Sequence, residues 1–544
     1  MKFPVISLAI FIVMLTTSCI QKQQVDLIIT NGNIYTVNDN FEKAEAIAIS
    51  NGKIIAVSTS EEIHKNYKSA KKIDVKGKTI IPGLINSYCN FYKLGLSMQN
   101  IDLTGTKSFE EVIQRLLIFK NEKNGDLIVG NGWNQNDWEN KELPTKARLD
   151  KLFPNIPVVL NHQEGDIILL NQAALDLAKI DKNTIVNGGK IIKKQDKLTG
   201  LLIGNAKGLV KKITRTPNLN TSVQALKDAE NYCLTVGFTT IDEAGLDYEI
   251  IDLIDSLQIM GELKIRIYAM INANEKNLNY YFKRGTFKSD RLNVNSFKVF
   301  ADGALGARNA LLKESYSDRD NYIGGLITDP DSIILTAHRI INSDFQMNTY
   351  AIGDSANAFI LKTYANAIKS QTNRRWRIEH AQVISKEDLD YFTEIIPSIQ
   401  PTHALSDSYS PKDRLGSERI KGAFAYKKLL EINGRIALGT DFTDENLDPM
   451  YTFYAAVARK DRSGYPKDGF EIENSLTREE TLKGMTIWAA YANFEEKEKG
   501  SIEVGKFADF IILNQNLMEV KIEDVPNTKV LKTFVNGELV SMSN

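Results

Sequence analysis

The sequence predicts an α/β fold in which a TIM-type (β/α)8 barrel with insertions is joined to a small β-sandwich formed by both termini. Short apolar runs alternate with helical stretches between residues 83 and 497, which is typical of a parallel barrel. Both chain ends show short strand patterns around turns instead. The chain has 544 residues, 43% of them hydrophobic, and is long enough to bury a large core in more than one compact unit.

The N-terminus is typical of a secretion signal over residues 1–18. Lys2 precedes an apolar run, 3–15, that is short for a membrane span. Cys19 follows small residues and resembles the lipobox cysteine of bacterial lipoproteins. This resemblance implies a lipidated Cys19, a tether over 19–25, and a membrane-anchored lipoprotein of the bacterial cell envelope that faces the periplasm. Ordinary signal cleavage nearby is the alternative.

The composition argues against one class of partner and against a disulfide framework. The 67 basic and 68 acidic residues give a formal net charge of -1, and no segment is strongly basic. We therefore expect no nucleic-acid binding. Cys89 and Cys233 are isolated cysteines, which predict no disulfide framework. We expect both to be small buried hydrophobic residues.

The β-rich ends predict the two parts of the sandwich. In the N-terminal part, 26–82, apolar strands at 26–30 and 34–37 flank an Asn-Gly turn. In the C-terminal part, 498–544, a strand at 530–535 leads to a second Asn-Gly turn. We infer that the two parts close into one small sandwich.

Residues 83–497 are expected to form the barrel. Apolar runs at 127–130, 157–160, 239–241 and 436–438 are candidate strands, with helical stretches between them. In such barrels the chemistry lies at the C-terminal ends of the strands. The polar residues that follow the apolar runs are therefore the candidates for a site.

Eight motifs, taken in chain order, carry a family resemblance. They are TIIPGLINSYCN (79–90), GWNQNDW with LPT (132–138 and 143–145), KVFADGALG (298–306), AIGD (351–354), RIEHAQ (377–382), QPTH (400–403), GTD (439–441) and GSIEVGKFAD (500–509). Together they resemble the amidohydrolase superfamily, in particular the amidohydrolase-3 branch typified by N-substituted formamide deformylases. The resemblance runs from about residue 25 to the C-terminus.

The resemblance implies a metal-dependent hydrolase of carbon–nitrogen bonds other than peptide bonds. In the family, one or two divalent cations are bound by a His-x-His on the first strand, a bridging lysine that is often carboxylated, two later histidines and an aspartate. The metals lower the pKa of a bridging water and polarise the substrate carbonyl. The aspartate passes a proton to the leaving amine.

Three of the four family histidines are replaced in this sequence. Tyr88 and Asn90 occupy the positions of the His-x-His pair, and Tyr350 occupies the position of a later histidine. A phenol stays protonated at neutral pH, and an amide offers only a neutral oxygen, so neither is a good zinc ligand.

Three ligand positions are retained, namely Lys298, His380 and Asp441, and Asp441 is also the candidate catalytic residue. They would suffice for one divalent metal such as zinc if Lys298 is carboxylated. In the alternative, Lys298 is an ammonium paired with Asp441 as a buried salt bridge, because an unpaired buried charge is costly.

Other residues near the strand ends are candidates for substrate binding: Trp133, His403 and Asp166. His403 matches a family position near the substrate, and a simple hydrogen-bonded histidine is the alternative. His64, His162 and His338 fall outside the matched metal positions, and we expect surface or structural roles for them.

Two hypotheses of function follow. The first is an envelope hydrolase of a carbon–nitrogen bond in a small-molecule substrate, with a degraded metal site. The second is a catalytically silent envelope lipoprotein that binds a small ligand or a partner. A metal-free enzyme with Asp441 or Asp166 as general base is a third alternative.

Overall fold

The structure is a computed structural model that describes residues 21–122, 126–163, 167–186, 188–210, 213, 217–369, 371, 373–406 and 411–543. Its centre is a barrel of parallel strands, each paired with the next in chain order. We label them β1 (Leu84–Cys89), β2 (Phe238–Leu246), β3 (Arg266–Asn272), β4 (Leu292–Phe300), β5 (Gln346–Ala351), β6 (Arg377–His380), β7 (Ile396–Ile399) and β8 (Ala437–Leu438). The predicted barrel is confirmed.

Backbone hydrogen bonds join the segment after β8 to the end of β1. The Asp441 N–H donates to the Tyr88 carbonyl at 3.0 Å, and the Asn90 N–H donates to the Phe442 carbonyl at 2.7 Å. The side chain of Asn86 adds a further link, because its Oδ1 accepts from the Thr440 N–H at 3.0 Å. The first and last strands therefore bring their C-terminal residues side by side.

Helices alternate with the barrel strands, and several begin at side-chain caps. The Asn218 side chain accepts from the Thr221 N–H, and the Asp329 side chain accepts from the Ser332 N–H, which satisfies helix-end donors that have no partner within the helix. The α-helices are Ser60–Asn66, Phe91–Ser97, Phe109–Glu122, Ala147–Leu152, Gln172–Leu177, Leu219–Thr235, Tyr248–Ile259, Glu275–Arg284, Pro330–Ile341, Asp354–Ile368, Pro411–Arg419, Tyr426–Asn433, Pro449–Ala458, Arg478–Gly484 and Ile487–Ala492.

The chain termini together form the predicted sandwich. One sheet has the order Lys53–Ser58, Ala46–Ser50, Leu27–Thr30, Lys72–Asp74, and the other has the order Glu538–Met542, Val530–Val535, Phe510–Leu513, Thr79–Pro82, Asn33–Tyr35, Lys43–Ala44. The join between the two ends of the chain is the antiparallel pairing of Thr79–Pro82 with Phe510–Leu513. Apolar side chains from both ends fill one core.

Among the described residues, the part of the chain between β1 and β2 forms a separate six-stranded sheet, which we call the inserted sheet. Its strands, in sheet order, are Ile101–Asp102, Ile128–Trp133, Val158–His162, Ile167–Leu170, Lys197–Gly204 and Gly189–Lys194. The apolar runs at 127–130 and 157–160 therefore lie in this sheet and not in the barrel. An apolar run indicates a buried strand, but it does not indicate which sheet the strand joins.

The remaining short strands flank these sheets, with Gln23–Gln24 paired to Tyr67–Lys68 and Phe287–Lys288 paired to β4. Both predicted small hydrophobic residues, Cys89 and Cys233, are buried free thiols. Within the part of the chain that the structure describes, none of the helices has the length and apolar character needed to cross a bilayer.

Candidate active site at the barrel mouth

The end of β1 places the two residues that stand for the family's first histidine pair. Tyr88 is buried, and its Oη accepts a hydrogen bond from Lys298 Nζ at 2.7 Å. Asn90 donates through Nδ2 to the Phe442 carbonyl at 3.2 Å and lies 3.5 Å from Asp441 Oδ1. Both side chains therefore face the polar mouth of the barrel and already have protein partners.

Lys298, on β4, is 1% exposed and is enclosed by aromatic rings. Its Nζ lies 4.2 Å from the ring centroid of Tyr88, 4.8 Å from that of Phe300 and 5.3 Å from that of Tyr350. Burial lowers the pKa of Lys298 to about 7, and the charges of Glu379 and Asp441 act in the opposite direction. The rings stabilise whatever positive charge remains by cation–π attraction.

The predicted ion pair between Lys298 and Asp441 is not formed among the described residues. The Nζ of Lys298 bonds to Tyr88, while Asp441 Oδ2 lies 3.1 Å from Nε2 of His403. The expectation was wrong because two competing partners, one for each charged group, are brought to the same mouth by other strands.

His380, the last residue of β6, is 1% exposed and lies among rings. Its ring meets those of Tyr88 and Tyr350 edge to face, at 4.7 and 4.4 Å between centroids, and stacks on that of His403 at 5.3 Å. The side chain of Gln400 approaches the ring and opposes the lowering of its pKa, but neither ring nitrogen makes a hydrogen bond of good geometry with a described residue. Burial lowers the pKa of His380 well below its usual value, so the neutral imidazole is the stable form.

The backbone at these positions adopts an uncommon conformation. His380 has φ 77°, the following Ala381 has φ 43°, and Asp441 has φ 57°. Left-handed φ values in residues with side chains cost free energy and cluster at functional sites. Here they turn the chain sharply at the ends of β6 and β8.

His403, which is partly buried, and Asp441, which is buried, form a close pair. His403 lies in the 3-10 turn Pro401–Ala404 after β7, and its Nδ1 is 2.6 Å from Nε2 of Gln382. Burial disfavours the charged form of His403, but the hydrogen bond and charge of Asp441 outweigh it and raise the pKa of His403. Burial raises the pKa of Asp441, and His403 opposes that shift.

The described residues do not fit the family's two-metal arrangement. Burial and nearby carboxylates keep the pKa of the Tyr88 phenol well above its usual value, and burial raises that of Tyr350 as well. Both phenols are therefore neutral and poor ligands. Lys298 is bonded to Tyr88 in the place where the family has its bridging carbamate. A reaction through a two-metal centre therefore does not follow from these residues.

A different set of metal-ligating atoms does converge at the mouth. Single ligand atoms of His380, His403 and Asp441 all lie within 4.8 Å of one another. Only two of these residues belong to the predicted set of Lys298, His380 and Asp441. The sequence predicted His403 only as a candidate for substrate binding, because spacing along the chain does not show which strand ends meet.

Asp302 is buried near the mouth and binds backbone N–H groups there. Its carboxylate accepts backbone N–H groups from Leu311, Ile352 and Gly353, each at 2.9 Å. Burial raises its pKa to about 6, and the three donors oppose the shift. Asp302 therefore joins the backbone around Leu311 to the segment that follows β5.

Trp133, a predicted substrate-binding residue, does not lie at the mouth. Trp133 is buried in the inserted sheet, where its Nε1 donates to the Leu160 carbonyl at 3.0 Å and its ring stacks on Trp138. The structure therefore places Trp133 in the core of that sheet and not among the residues of the mouth. Asp166 and Cys19 lie outside the described residues.

Gln382 is a site residue that sequence reasoning did not single out. It is 3% exposed, and its Oε1 makes no hydrogen bond among the described residues. Its position two residues after His380, in the RIEHAQ motif, was the available signal.

A parallel barrel that gathers histidines, a lysine and an aspartate at the C-terminal ends of its strands is the architecture of metal-dependent hydrolases. Comparison with known proteins agrees. The sequence pattern of the amidohydrolase family matches residues 71–541, and the chain therefore belongs to that family.

The chain is similar to two curated relatives and to one solved structure. Protein LONG AFTER FAR-RED 3 of Arabidopsis thaliana is 31% identical, over 94% of this chain and 91% of its own length. N-substituted formamide deformylase of Arthrobacter pascens is 23% identical, over 95% and 98%. An uncharacterized metal-dependent hydrolase from Pyrococcus furiosus superposes with a TM-score of 0.74 at 27% identity, covering 91% of this chain and all of that one.

Proposed function

We propose that the protein hydrolyses a carbon–nitrogen bond, other than a peptide bond, in a small-molecule substrate, and that Asp441 moves the proton. The observation that carries the proposal is the close pair of Asp441 Oδ2 and His403 Nε2 at the C-terminal end of the barrel, 3.1 Å apart. Active sites of this fold lie at that end. The deformylase among the relatives acts, by its name, on N-substituted formamides, which supports an amide-like substrate.

In the proposed reaction, a water molecule attacks the substrate carbonyl carbon and loses a proton to Asp441. The carbon–nitrogen bond then breaks as the same proton passes to the leaving amine. His403 holds the carboxylate in place through the Nε2–Oδ2 contact. Lys298 and Tyr88, joined at 2.7 Å, present polar hydrogens toward the negative charge that develops on the carbonyl oxygen.

The test is amine release from a panel of small formamides, acyclic amides and cyclic amides. Asp441→Asn removes the proton carrier and should lower turnover by roughly 10²- to 10⁴-fold. Asp196→Asn is the matched control, because Asp196 is exposed and pairs with Lys182 away from the mouth; its turnover should be unchanged. Absence of hydrolysis across the panel, or full activity in Asp441→Asn, would contradict the proposal.

A catalytically silent, ligand-binding protein is the second candidate. It is favoured by the contact of Lys298 with Tyr88 and by the rings around Lys298, since these fill the place of the family's bridging group. A silent binder would show thermal stabilisation by a small molecule that Asp441→Asn leaves intact, with no turnover of that molecule.

We also propose that the protein is held at the cell envelope through a lipid on Cys19, as the lipobox resemblance implies. Labelled fatty acid should be incorporated into the full chain and not into Cys19→Ala, and that variant should leave the membrane fraction. Equal labelling of both chains would contradict the anchor.

A further inference from the structure

We propose that the protein binds one divalent transition metal ion, such as zinc, through His380, His403 and Asp441. The inference rests on the proposed function, because the metal would serve the same hydrolysis. It also differs from the family arrangement described above, since His403, from the turn after β7, replaces the ligands that β1 and β5 no longer supply.

The donor set and its spacing fit this ion. Two imidazoles and one carboxylate, with a water in the fourth position, are typical of a catalytic zinc site. Ligand atoms around zinc lie about 3.3 Å apart, since each bond is about 2.0 to 2.2 Å long. The three candidate atoms lie within 4.8 Å of one another, so a bound ion would draw them together by side-chain rotation.

His380 provides an independent pointer to a ligand. Its imidazole is 1% exposed, and both nitrogens are without a well-formed hydrogen bond among the described residues. Edge-to-face contacts with Tyr88 and Tyr350 fix the plane of its ring. Buried polar atoms are almost always paired in folded proteins, and an imidazole nitrogen lone pair is a preferred donor to zinc.

Gln382 decides whether His403 can act as a ligand. An amide nitrogen only donates, so the 2.6 Å contact of Gln382 Nε2 makes His403 Nδ1 an acceptor and leaves the proton on Nε2, toward Asp441. A half-turn of the amide brings Oε1, which now lacks a partner, to Nδ1. The proton then moves to Nδ1, and Nε2 presents a lone pair to the metal.

Lys298 does not compete for the carboxylate. Its Nζ is held by Tyr88 Oη at 2.7 Å and lies beside the rings of Tyr88 and Phe300. Asp441 therefore has His403 and Asn90 as its close side-chain neighbours. Its carboxylate can turn from the His403 proton to a shared metal without breaking an ion pair with the lysine.

The experiment measures zinc binding directly. The full chain is stripped with a chelator, loaded with zinc, freed of excess metal by desalting, and its metal content is measured. We expect about one zinc per chain. Cobalt in place of zinc should give the visible absorption of a four-coordinate site.

Matched variants locate the ligands. His403→Ala removes one of three ligands and should weaken zinc binding by about 100-fold or more, which is at least the cost of losing an outer-shell partner. His338→Ala, on the exposed face of the helix Pro330–Ile341, should match the unmodified chain within about twofold. Gln382→Glu keeps only the accepting oxygen and should tighten binding, whereas Gln382→Leu should weaken it about 10- to 100-fold.

The results of these measurements support or overturn the zinc site. No retained zinc, or equal affinity in His403→Ala, overturns the site. If His403→Ala does not fold, as judged by circular dichroism, the two Gln382 variants decide, and equal affinity in both overturns the site. Hydrolysis by a chain that retains no metal overturns this inference and leaves the proposed function standing. If zinc is retained through these ligands but no amide of the panel is hydrolysed, the metal site stands and the proposed function is overturned.

Discussion

The barrel buries two polar clusters that differ in how far their atoms are paired. In the interior, Arg377 Nη1 donates to Asp242 Oδ2 at 3.1 Å and to Asn493 Oδ1 at 3.0 Å. Its Nε lies 2.8 Å from Glu379 Oε1, an ion pair without hydrogen-bond geometry, so the charges of this cluster compensate one another. Asn493 also donates to Asp242, at 2.6 Å. At the mouth, by contrast, His380 has no well-formed hydrogen bond among the described residues.

The difference in pairing indicates that the interior cluster serves the stability of the fold and that the mouth serves its function. Charges that serve only the fold must be compensated, because leaving a buried charge without a partner is costly. Polar atoms that serve a ligand can remain uncompensated if the surrounding barrel is stable enough to tolerate them. The interior cluster should therefore control unfolding, and the mouth should control binding and turnover.

The largest expected effect is the loss of the interior cation. Arg377→Met leaves Asp242 and Glu379 buried without their partner and should lower the free energy of unfolding by about 3 to 5 kcal/mol, measured by urea denaturation. Lys421→Ala is the control, because its pair with Glu418 is exposed, and its effect should stay below about 1 kcal/mol. Equal effects of the two substitutions would show that the interior cluster does not control unfolding.

A smaller effect concerns pH. Glu243, on β2, accepts the backbone N–H groups of Phe91 and Tyr92, and burial raises its pKa from 4.5 to about 8, with both donors opposing the shift. Between pH 4.5 and 8 the folded protein keeps a proton that the unfolded chain has lost. The contribution of Glu243 to stability is thus fully present below pH 4.5 and declines as the pH rises through about 8.

Glu243→Gln should remove this dependence. Relative to the unmodified protein, the variant should gain about 1 to 3 kcal/mol in unfolding free energy between pH 4.5 and pH 8.5, measured by urea denaturation at each pH. The exposed Glu418→Gln is the control and should leave the pH dependence unchanged. A constant difference between the Glu243 variant and the unmodified protein at all pH values would mean that Glu243 is already ionised in the folded state.

The smallest expected effect lies at the mouth. His380→Phe keeps the edge-to-face packing on Tyr88 and Tyr350 and removes the unpaired nitrogens, so in the presence of a chelator it should change the unfolding free energy by no more than about 1 kcal/mol. Turnover should nevertheless be lost, because phenylalanine cannot bind the proposed metal ion. A loss of stability above about 3 kcal/mol would show instead that His380 serves the fold.

The fold class and the family could both be predicted from the sequence. Strand alternation and motifs in a fixed order carry that information, because side-chain direction follows local periodicity and the chemistry of a barrel lies at the ends of its strands. Tyr88, Lys298, His380 and Asp441 could therefore be assigned to one end of the barrel from their motifs alone.

The contacts among these residues could be seen only in the three-dimensional structure. Lys298 bonds to Tyr88 instead of Asp441, and Asp441 pairs with His403, because strands distant in sequence bring competing partners to the same place. The same limit applies to Trp133, whose strand joins the inserted sheet and not the barrel. The local pattern predicts that a side chain is buried. Its partner, however, is selected by the free energies of competing contacts, and these contacts come from strands that are distant in the sequence.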